Sequence, residues 1–465
     1  MTRFRLNGRV ISTVVRPSAT LLPWLRSEGL VGTKEGCAEG DCGACTVLVR
    51  DGRRLRTVNS CLQLVAALEG LEVWTIEGLG GDHPAQRALV EALGSQCGYC
   101  TPGFVMSLVE ACHRDDLGAA ELDDQICGNL CRCTGYRPIR EALRAVAGTH
   151  PADGLEGETA VMERTSSFEI DGERFEQPRS LPALWSVLDA YPDHRLVSGG
   201  TDLGLEVNRE GRSWPCLVSL EAVPELRVLE VEFGGFRVGA CVRLTDLEAW
   251  AAPELPVLAR SLRYFASRQI KHRATVGGNL CNASPIGDLA PVLMALDAVV
   301  VLGNAAGARH VPISKFFLGY RQTELRAGEV LLRVDIPRPD PRARLAAYKV
   351  SKRRELDISA VSAGFNVVVE DQVVRSARVA FGGMAATTRR AHRFEEALVG
   401  RPWTEDRVLA SAEVLREDFS PISDHRGSAW YRETVARNLA LGFFLETIEE
   451  RVPTLPVGHS GTVVP

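Results

Sequence analysis

Apolar and polar positions alternate along the first residues. Phe4-Arg5-Leu6-Asn7-Gly8-Arg9-Val10 reads as two short strands around an Asn-Gly turn. Residues 21–29 fit a short helix. Residues 46–53 fit a strand running into an Asp-Gly turn, and 71–76 a further strand. From Pro84 to Ala147 the period becomes helical, predicting helices over 84–93, 102–113, 119–130 and 136–146, the second started by Thr101-Pro102. Residues 148–167 are polar, rich in Gly and Glu and aperiodic, the pattern of a linker. From Phe168 to about Pro341 the chain is α/β in character. A final α+β stretch follows, with strands over 344–350, 361–370 and 376–381 and helices over 404–418 and 428–450.

At 465 residues the chain is too long for one ordinary core. With 45% hydrophobic and 24% charged residues, it has the balance of a soluble globular protein. A net charge of -5 argues against a nucleic-acid partner. No apolar run approaches the ~20 residues of a membrane helix. The first residues carry no signal-peptide pattern, so the expected compartment is the cytoplasm.

Cysteine usage changes the picture. Eight of the 13 cysteines fall in tight groups before residue 134, which in a reducing compartment points to metal or redox chemistry. Cys37, Cys42, Cys45 and then Cys61 have the spacing of a plant-type [2Fe–2S] site. Gly36, Gly40 and Gly43 let the backbone wrap such a cluster. A zinc site fits the interleaved glycines and the four-residue gap poorly. Cys97-x2-Cys100 and Cys131-x-Cys133 form a second set. Spacing alone leaves Cys127 as a competing ligand there, and Cys112 reads as a buried thiol.

The segments GCAEGDCGAC (36–45), SQCGYCTPG (95–103) and ICGNLCRCTGYRPI (126–139) resemble the iron–sulfur segments of the molybdenum hydroxylases, which include xanthine dehydrogenases, aldehyde oxidases and hydroxylases of heterocycles. The resemblance implies Cys97, Cys100, Cys131 and Cys133 as the second ligand set, leaves Cys127 out, and places Gln96 beside the pterin of a partner's molybdenum cofactor.

Two glycine turns follow. Leu196-Val197-Ser198-Gly199-Gly200-Thr201-Asp202-Leu203 is a strand entering a Gly-Gly turn, and Thr275-Val276-Gly277-Gly278-Asn279 leads into ASPIGD. Neither matches G-x-G-x-x-G, which disfavours a Rossmann domain. Together they resemble the family's FAD domain, of the vanillyl-alcohol-oxidase-like fold. The resemblance gives both turns to the pyrophosphate and ribityl chain, adds Asp288, Leu331 and Lys349 as FAD contacts, and sets Phe265 beside the isoalloxazine ring. It also implies that Lys349, Lys352, Arg353 and Arg354, with Tyr320 nearby, face NAD; Leu356 stands where an acidic residue is expected, with Asp357 next.

The resemblance runs from Phe4 to about Glu450 and implies a multidomain α+β protein. Its parts are a plant-type ferredoxin β-grasp domain (1–82), a four-helix [2Fe–2S] domain (83–148), a linker (149–167), an FAD-binding α+β domain (168–341), a C-terminal α+β domain of the CO-dehydrogenase flavoprotein type (342–455) and a tail (456–465). No catalytic constellation for hydroxylation is visible, and the nine histidines are scattered. The arrangement resembles the small chain of the split bacterial xanthine dehydrogenases. A large molybdenum-cofactor chain would oxidise hypoxanthine or xanthine in a heterotetramer of two small and two large chains. Electrons would pass through two [2Fe–2S] clusters to FAD and then NAD. The rivals are another molybdenum hydroxylase acting on aldehydes or N-heterocycles, and an iron–sulfur carrier with a dead flavin fold.

Overall fold

The computed structural model describes residues 1–52, 54–155, 167–353 and 356–448. The chain forms two compact units, one of residues 1–223 with 266–274, the other of 224–265 with the residues from 275 on.

In the first unit, Thr2–Leu6 and Arg9–Thr13 pair as an antiparallel hairpin. Its turn residues Asn7 and Gly8 have φ of 49° and 79°, as a primed turn requires. A five-stranded sheet runs in the order Arg9–Thr13, Thr2–Leu6, Glu72–Trp74, Thr46–Asp51, Arg54–Asn59. Only the contact between Thr2–Leu6 and Glu72–Trp74 is parallel. The Leu21–Ser27 helix buries Leu21, Trp24 and Leu25 against Phe4, Val47, Val49 and Val73, which gives a β-grasp. Four helices follow: Pro84–Glu91, Thr101–Cys112, Ala119–Ile126 and Arg137–Val146. The second starts one residue earlier than expected, with Cys100 as its cap.

The third helix stops at Ile126 rather than continuing to 130. Gly128 lies where a Cβ would sit 1.9 Å from Gln269 Oε1. The Asn129 amide still turns back to the Ile126 carbonyl at 3.0 Å, but its side chain donates to the Gly43 carbonyl at 3.0 Å, and the Leu130 amide leaves the helical path for the Cys42 carbonyl at 2.9 Å. Tertiary hydrogen bonds here outcompete helix propagation.

The described start of the expected linker is anchored. The amide of His150 donates to the Cys112 carbonyl at 3.0 Å, Leu155 is buried, and Asp153 accepts from His83 at 2.9 Å and His113 at 2.8 Å. Residues 156–166 and the tail from 449 on lie outside the described residues.

A four-stranded sheet completes the first unit, in the order Ser167–Ile170, Glu173–Glu176, Cys216–Ser219, His194–Val197, with parallel pairing on both sides of Cys216–Ser219. Its Phe175, Val197, Leu203 and Leu217 share a core with Leu64, Ala66 and Ala67 of the β-grasp. The expected flavin region is thus divided between the two units.

In the second unit, an antiparallel sheet runs Leu229–Glu232, Gly235–Gly239, Val330–Pro337, Val299–Asn304, Gly307–Pro312. A second sheet, Ala343–Val350, Val361–Glu370, Val373–Gly382, Arg389–Arg390, packs Phe365 and Phe381 against Phe443 and Trp403. The helix expected over 404–418 is two, Glu405–Ala412 and Leu415–Asp418, and the last described helix is Ala429–Ile448. Around Phe265 the helical path is broken: Pro256–Arg263 ends, Ala266 takes φ 44°, and Arg268–Lys271 starts afresh in the other unit.

Candidate functional site

The first cysteine loop is shaped by its glycines. A Cβ on Gly36 would lie 2.6 Å from Cys42 Sγ, and one on Gly43 would lie 2.1 Å from the Gly128 carbonyl oxygen. Backbone amides point at sulfur: Cys37 N–H at Cys42, and the N–H groups of Glu39 and Cys42 at Cys37, each at 3.3 Å. The Asn59 amide reaches Cys45 Sγ at 3.9 Å.

The eight cysteines meet in pairs. The Cys42 thiol donates to Cys37, which holds the Cys37 sulfur down at about 5 and pushes Cys42 up. Cys61 likewise donates to Cys45, lowering Cys45 and raising itself. In the second set Cys133 bonds Cys97 and is raised by it. Cys100 is pushed up to about 12, by burial first and then by its bond to Cys131. Burial works against ionisation of Cys131 too, yet its hydrogen bonds, with Thr134 foremost, bring it below the ordinary thiol value.

Among the described residues, no three His, Cys, Asp or Glu side chains converge as one metal ion would need. Paired thiols fit a dinuclear [2Fe–2S] rhomb, in which each iron takes two protein thiolates, better than a mononuclear zinc centre. Cys45 and Cys61 are buried, whereas Cys97 and Cys133 are exposed beside the exposed Gln96. Cys127 caps the Ala119–Ile126 helix.

The segment 266–274 packs between these loops, inside the first unit. Gln269 donates to Asn129 Oδ1 at 2.9 Å. Arg268 donates to the buried Glu110 at 2.8 Å, and Lys271 lies 3.4 Å from Asp124. Glu110 is held well below the usual carboxylate range: burial opposes this, but Arg268, His272 and Arg114 outweigh it. Burial brings His272 down to about 3, and its Nδ1 faces the Thr57 carbonyl at 2.7 Å.

The two glycine turns differ. In the first unit, His194–Val197 runs through Gly199 and Gly200, at φ 76° and 77°, into the Thr201–Glu210 helix. A Cβ on Gly199 would lie 2.0 Å from the Arg273 carbonyl oxygen. No side-chain cap is bonded at the start of this helix, whose positive dipole end favours an anion. Leu196, Ser198, Thr201 and Asp202 are half-buried there, and Val197 and Leu203 are in the core.

In the second unit, the turn uses its amides internally. Val276 donates to Val242 at 3.1 Å, Gly277 to Ala240 at 2.7 Å, Gly278 to the Thr275 hydroxyl at 3.1 Å and Asn279 to the Thr275 carbonyl at 3.0 Å. It therefore has side chains rather than amides to offer a flavin. Nearby, Lys349 Nζ pairs with Asp288 at 2.8 Å, and Ser359 also donates to Asp288. Leu331 is 2% exposed, its side chain part of the core, and Phe265 is half-buried.

The cations expected to face NAD are engaged. Besides Lys349, Lys352 donates to the His425 carbonyl at 2.7 Å and Arg353 to Asp357 at 2.7 Å. Arg354 lies outside the described residues, and Tyr320 is exposed. Sequence reasoning missed Asn59, Asn129, Thr134 and Tyr136, all polar contacts of the cysteine loops. The last two stand in the quoted CRCTGYRPI run, whose cysteines drew all the weight.

Comparison with known proteins fits this geometry. Residues 4–66 match the 2Fe-2S iron-sulfur cluster binding domain, and 75–144 the [2Fe-2S] binding domain. Residues 167–339 match the FAD binding domain in molybdopterin dehydrogenase, and 346–447 the CO dehydrogenase flavoprotein C-terminal domain. Xanthine dehydrogenase 1 of Arabidopsis thaliana is 32% identical over 96% of this chain, and the xanthine dehydrogenase of Emericella nidulans 34% over 95%. The chain spans 40% and 38% of those relatives' own length.

Among solved structures, quinoline 2-oxidoreductase from Pseudomonas putida 86 has a chain that is 29% identical, with a TM-score of 0.55, covering 58% of this chain and 95% of that one. A carbon monoxide dehydrogenase chain from Hydrogenophaga pseudoflava is 27% identical, with a TM-score of 0.55, covering 57% and 94%.

Two [2Fe–2S] domains ahead of an FAD-binding domain define an iron–sulfur flavoprotein, an oxidoreductase component. Given its C-terminal domain and its relatives, the chain belongs to the molybdenum hydroxylase family, as an iron–sulfur/FAD component.

Proposed function

We propose that this chain is the electron-transfer component of a xanthine dehydrogenase. In this reading it receives electrons from a molybdenum-cofactor chain that oxidises hypoxanthine or xanthine, and delivers them to NAD. The observation that carries it is coverage. Xanthine dehydrogenases align with 89–96% of the chain, so their likeness runs through all four domains. The quinoline and carbon monoxide dehydrogenase chains align with 57–58% of this chain, which is 94–95% of their own length.

The [2Fe–2S] groups would exchange single electrons, and FAD would convert between one- and two-electron steps. Cys37, Cys42, Cys45 and Cys61 would hold the first cluster, and Cys97, Cys100, Cys131 and Cys133 the second. The Gly199-Gly200 turn would cradle the flavin pyrophosphate through the helix behind it. Asn279, Asp288 and Lys349 would add side-chain contacts, Phe265 a ring contact, and Leu331 a main-chain one. Gln96, exposed next to Cys97, would meet the partner's pterin.

We assign the domains as 1–82, 83–148, 168–341 and 342–455. The assembly is a cytoplasmic heterotetramer of two small and two large chains. Among the described residues no helix is long and apolar enough to cross a membrane. NAD phosphates would have to draw Lys352 and Arg353 from their present partners, and this makes NAD the step most open to test.

The likeness to the quinoline and carbon monoxide enzymes favours a second reading, another molybdenum hydroxylase acting on an N-heterocycle or an aldehyde. Co-purification with the partner chain and assay of xanthine-dependent NAD reduction separates the two. Turnover is expected with xanthine. Turnover only with aldehydes or N-heterocycles replaces the first reading by the second.

A further inference from the structure

Three hydrogen bonds close a ring around one ligand of the second cysteine set. The Cys131 amide donates to the Tyr136 phenol oxygen at 2.9 Å. The Tyr136 amide donates to Thr134 Oγ1 at 3.2 Å. Thr134 Oγ1 lies 3.2 Å from Cys131 Sγ. A sulfur that ligates iron carries no proton and can only accept. Thr134 already accepts from Tyr136, which leaves its own hydrogen for the sulfur.

The ring is held in place from outside. Tyr136 has φ 67°, a conformation that side-chain-bearing residues adopt at a cost of about 1–3 kcal/mol. Its ring packs edge-on against Phe104, with centroids 6.3 Å apart. Backbone strain maintained by packing and hydrogen bonds on both sides of a ligand is more than a loop needs merely to turn. In the first set, by contrast, the donors at Cys37 and Cys42 are main-chain groups that no side-chain change removes, and the side-chain amide of Asn59 reaches Cys45 Sγ only at 3.9 Å.

We propose that Thr134, by donating its hydroxyl hydrogen to Cys131 Sγ, sets the reduction potential of the cluster held by Cys97, Cys100, Cys131 and Cys133, and that Tyr136 positions it. Reduction adds negative charge to the cluster and its thiolates. A donor aimed at sulfur stabilises the reduced state more than the oxidised one and raises the potential. Thr134 is thus a tuning residue and Tyr136 a positioning residue. The inference rests on the iron–sulfur reading above.

The test is a redox titration of the full chain followed by electron paramagnetic resonance. The second-set signal is identified as the one lost in Cys131→Ser. Thr134→Val, which keeps the shape and removes the hydroxyl, should lower that midpoint by about tenfold in the reduction equilibrium, or ~59 mV for one electron. The other midpoint should stay in place. Thr134→Ser should restore the original value, and Tyr136→Phe should shift it by less, in the same direction. An unmoved midpoint in Thr134→Val with both clusters assembled overturns the proposal, as does a Thr134→Ser shift equal to that of Val.

If Thr134→Val does not assemble the cluster, the unmodified protein decides. A proton coupled to the second cluster should exchange rapidly in D2O, and its absence overturns the proposal. A natural chain without two distinct iron–sulfur signals removes the functional reading itself, whereas an unmoved midpoint removes only the role of Thr134.

Discussion

The amide of Leu130 donates to the carbonyl of Cys42 at 2.9 Å, so one hydrogen bond joins a cysteine of the first set to the residue preceding Cys131 of the second. Beside it the Asn129 side chain donates to the Gly43 carbonyl at 3.0 Å and accepts from Ser107 at 2.7 Å and Gln269 at 2.9 Å. The two cysteine loops therefore share a buried polar seam.

Asn129→Ala should take from the buried Ser107 hydroxyl its acceptor and from the Gln269 amide its shortest one, while the Gly43 carbonyl keeps Thr46. Each buried group left short of a partner costs roughly 1–3 kcal/mol. Denaturant unfolding should show the loss, and iron content per chain should fall as the first loop loosens.

Cys131→Ser should abolish one of two distinct [2Fe–2S] signals, while Cys127→Ser should abolish neither. Electron paramagnetic resonance of the reduced chain reads both. Loss of a signal in Cys127→Ser would overturn the ligand assignment.

Gly199→Ala should bind FAD poorly and keep both clusters. Its Cβ would meet the Arg273 carbonyl oxygen at 2.0 Å, and φ of 76° disfavours a side chain there. The FAD-to-protein ratio and the iron content, measured together, check this.

His272 titrates near 3 in the folded chain because of its burial, against about 6.5 unfolded. The unfolded chain therefore binds more protons between these values, so stability rises with pH across that window. Glu110, also lowered, acts in the same sense. The thermal midpoint should fall as pH drops below about 6.5, and His272→Gln should flatten that dependence.

Lys352→Ala with Arg353→Ala should weaken NAD reduction more than reduction of an artificial dye by the assembled enzyme. Equal losses would count against an NAD-facing loop.

The chemistry of the cysteines was readable because ligand spacing is local. The hairpin was readable for the same reason: Asn7 and Gly8 take the positive φ that their residue types favour. What spacing could not reveal was set by contacts far along the chain. The Ala119–Ile126 helix stops short because residue 128 meets residue 269 and residue 130 meets residue 42. The resemblance gives the 275–279 turn to the pyrophosphate and ribityl chain, yet Ala240 and Val242, just past the Gly235–Gly239 strand, accept from two of its amides. The resemblance turns the basic run around residue 352 toward NAD, yet Asp288, Asp357 and the His425 carbonyl lie against it. Periodicity reports which face is buried and says nothing of what an exposed charge meets.

The return of residues 266–274 into the first unit bears on how the molecule can be divided. The four domains follow one another in sequence like separable modules, which invites a cut before residue 167. Such a cut would strip Glu110 of Arg268, Asp124 of Lys271 and Asn129 of Gln269, leaving two acids and an amide facing the gap. The iron–sulfur portion is finished by a strip of chain that begins about 120 residues after its Arg137–Val146 helix ends. A fragment ending at the linker would be an unfinished object, and a gene split there would have to supply the missing strip from its other half.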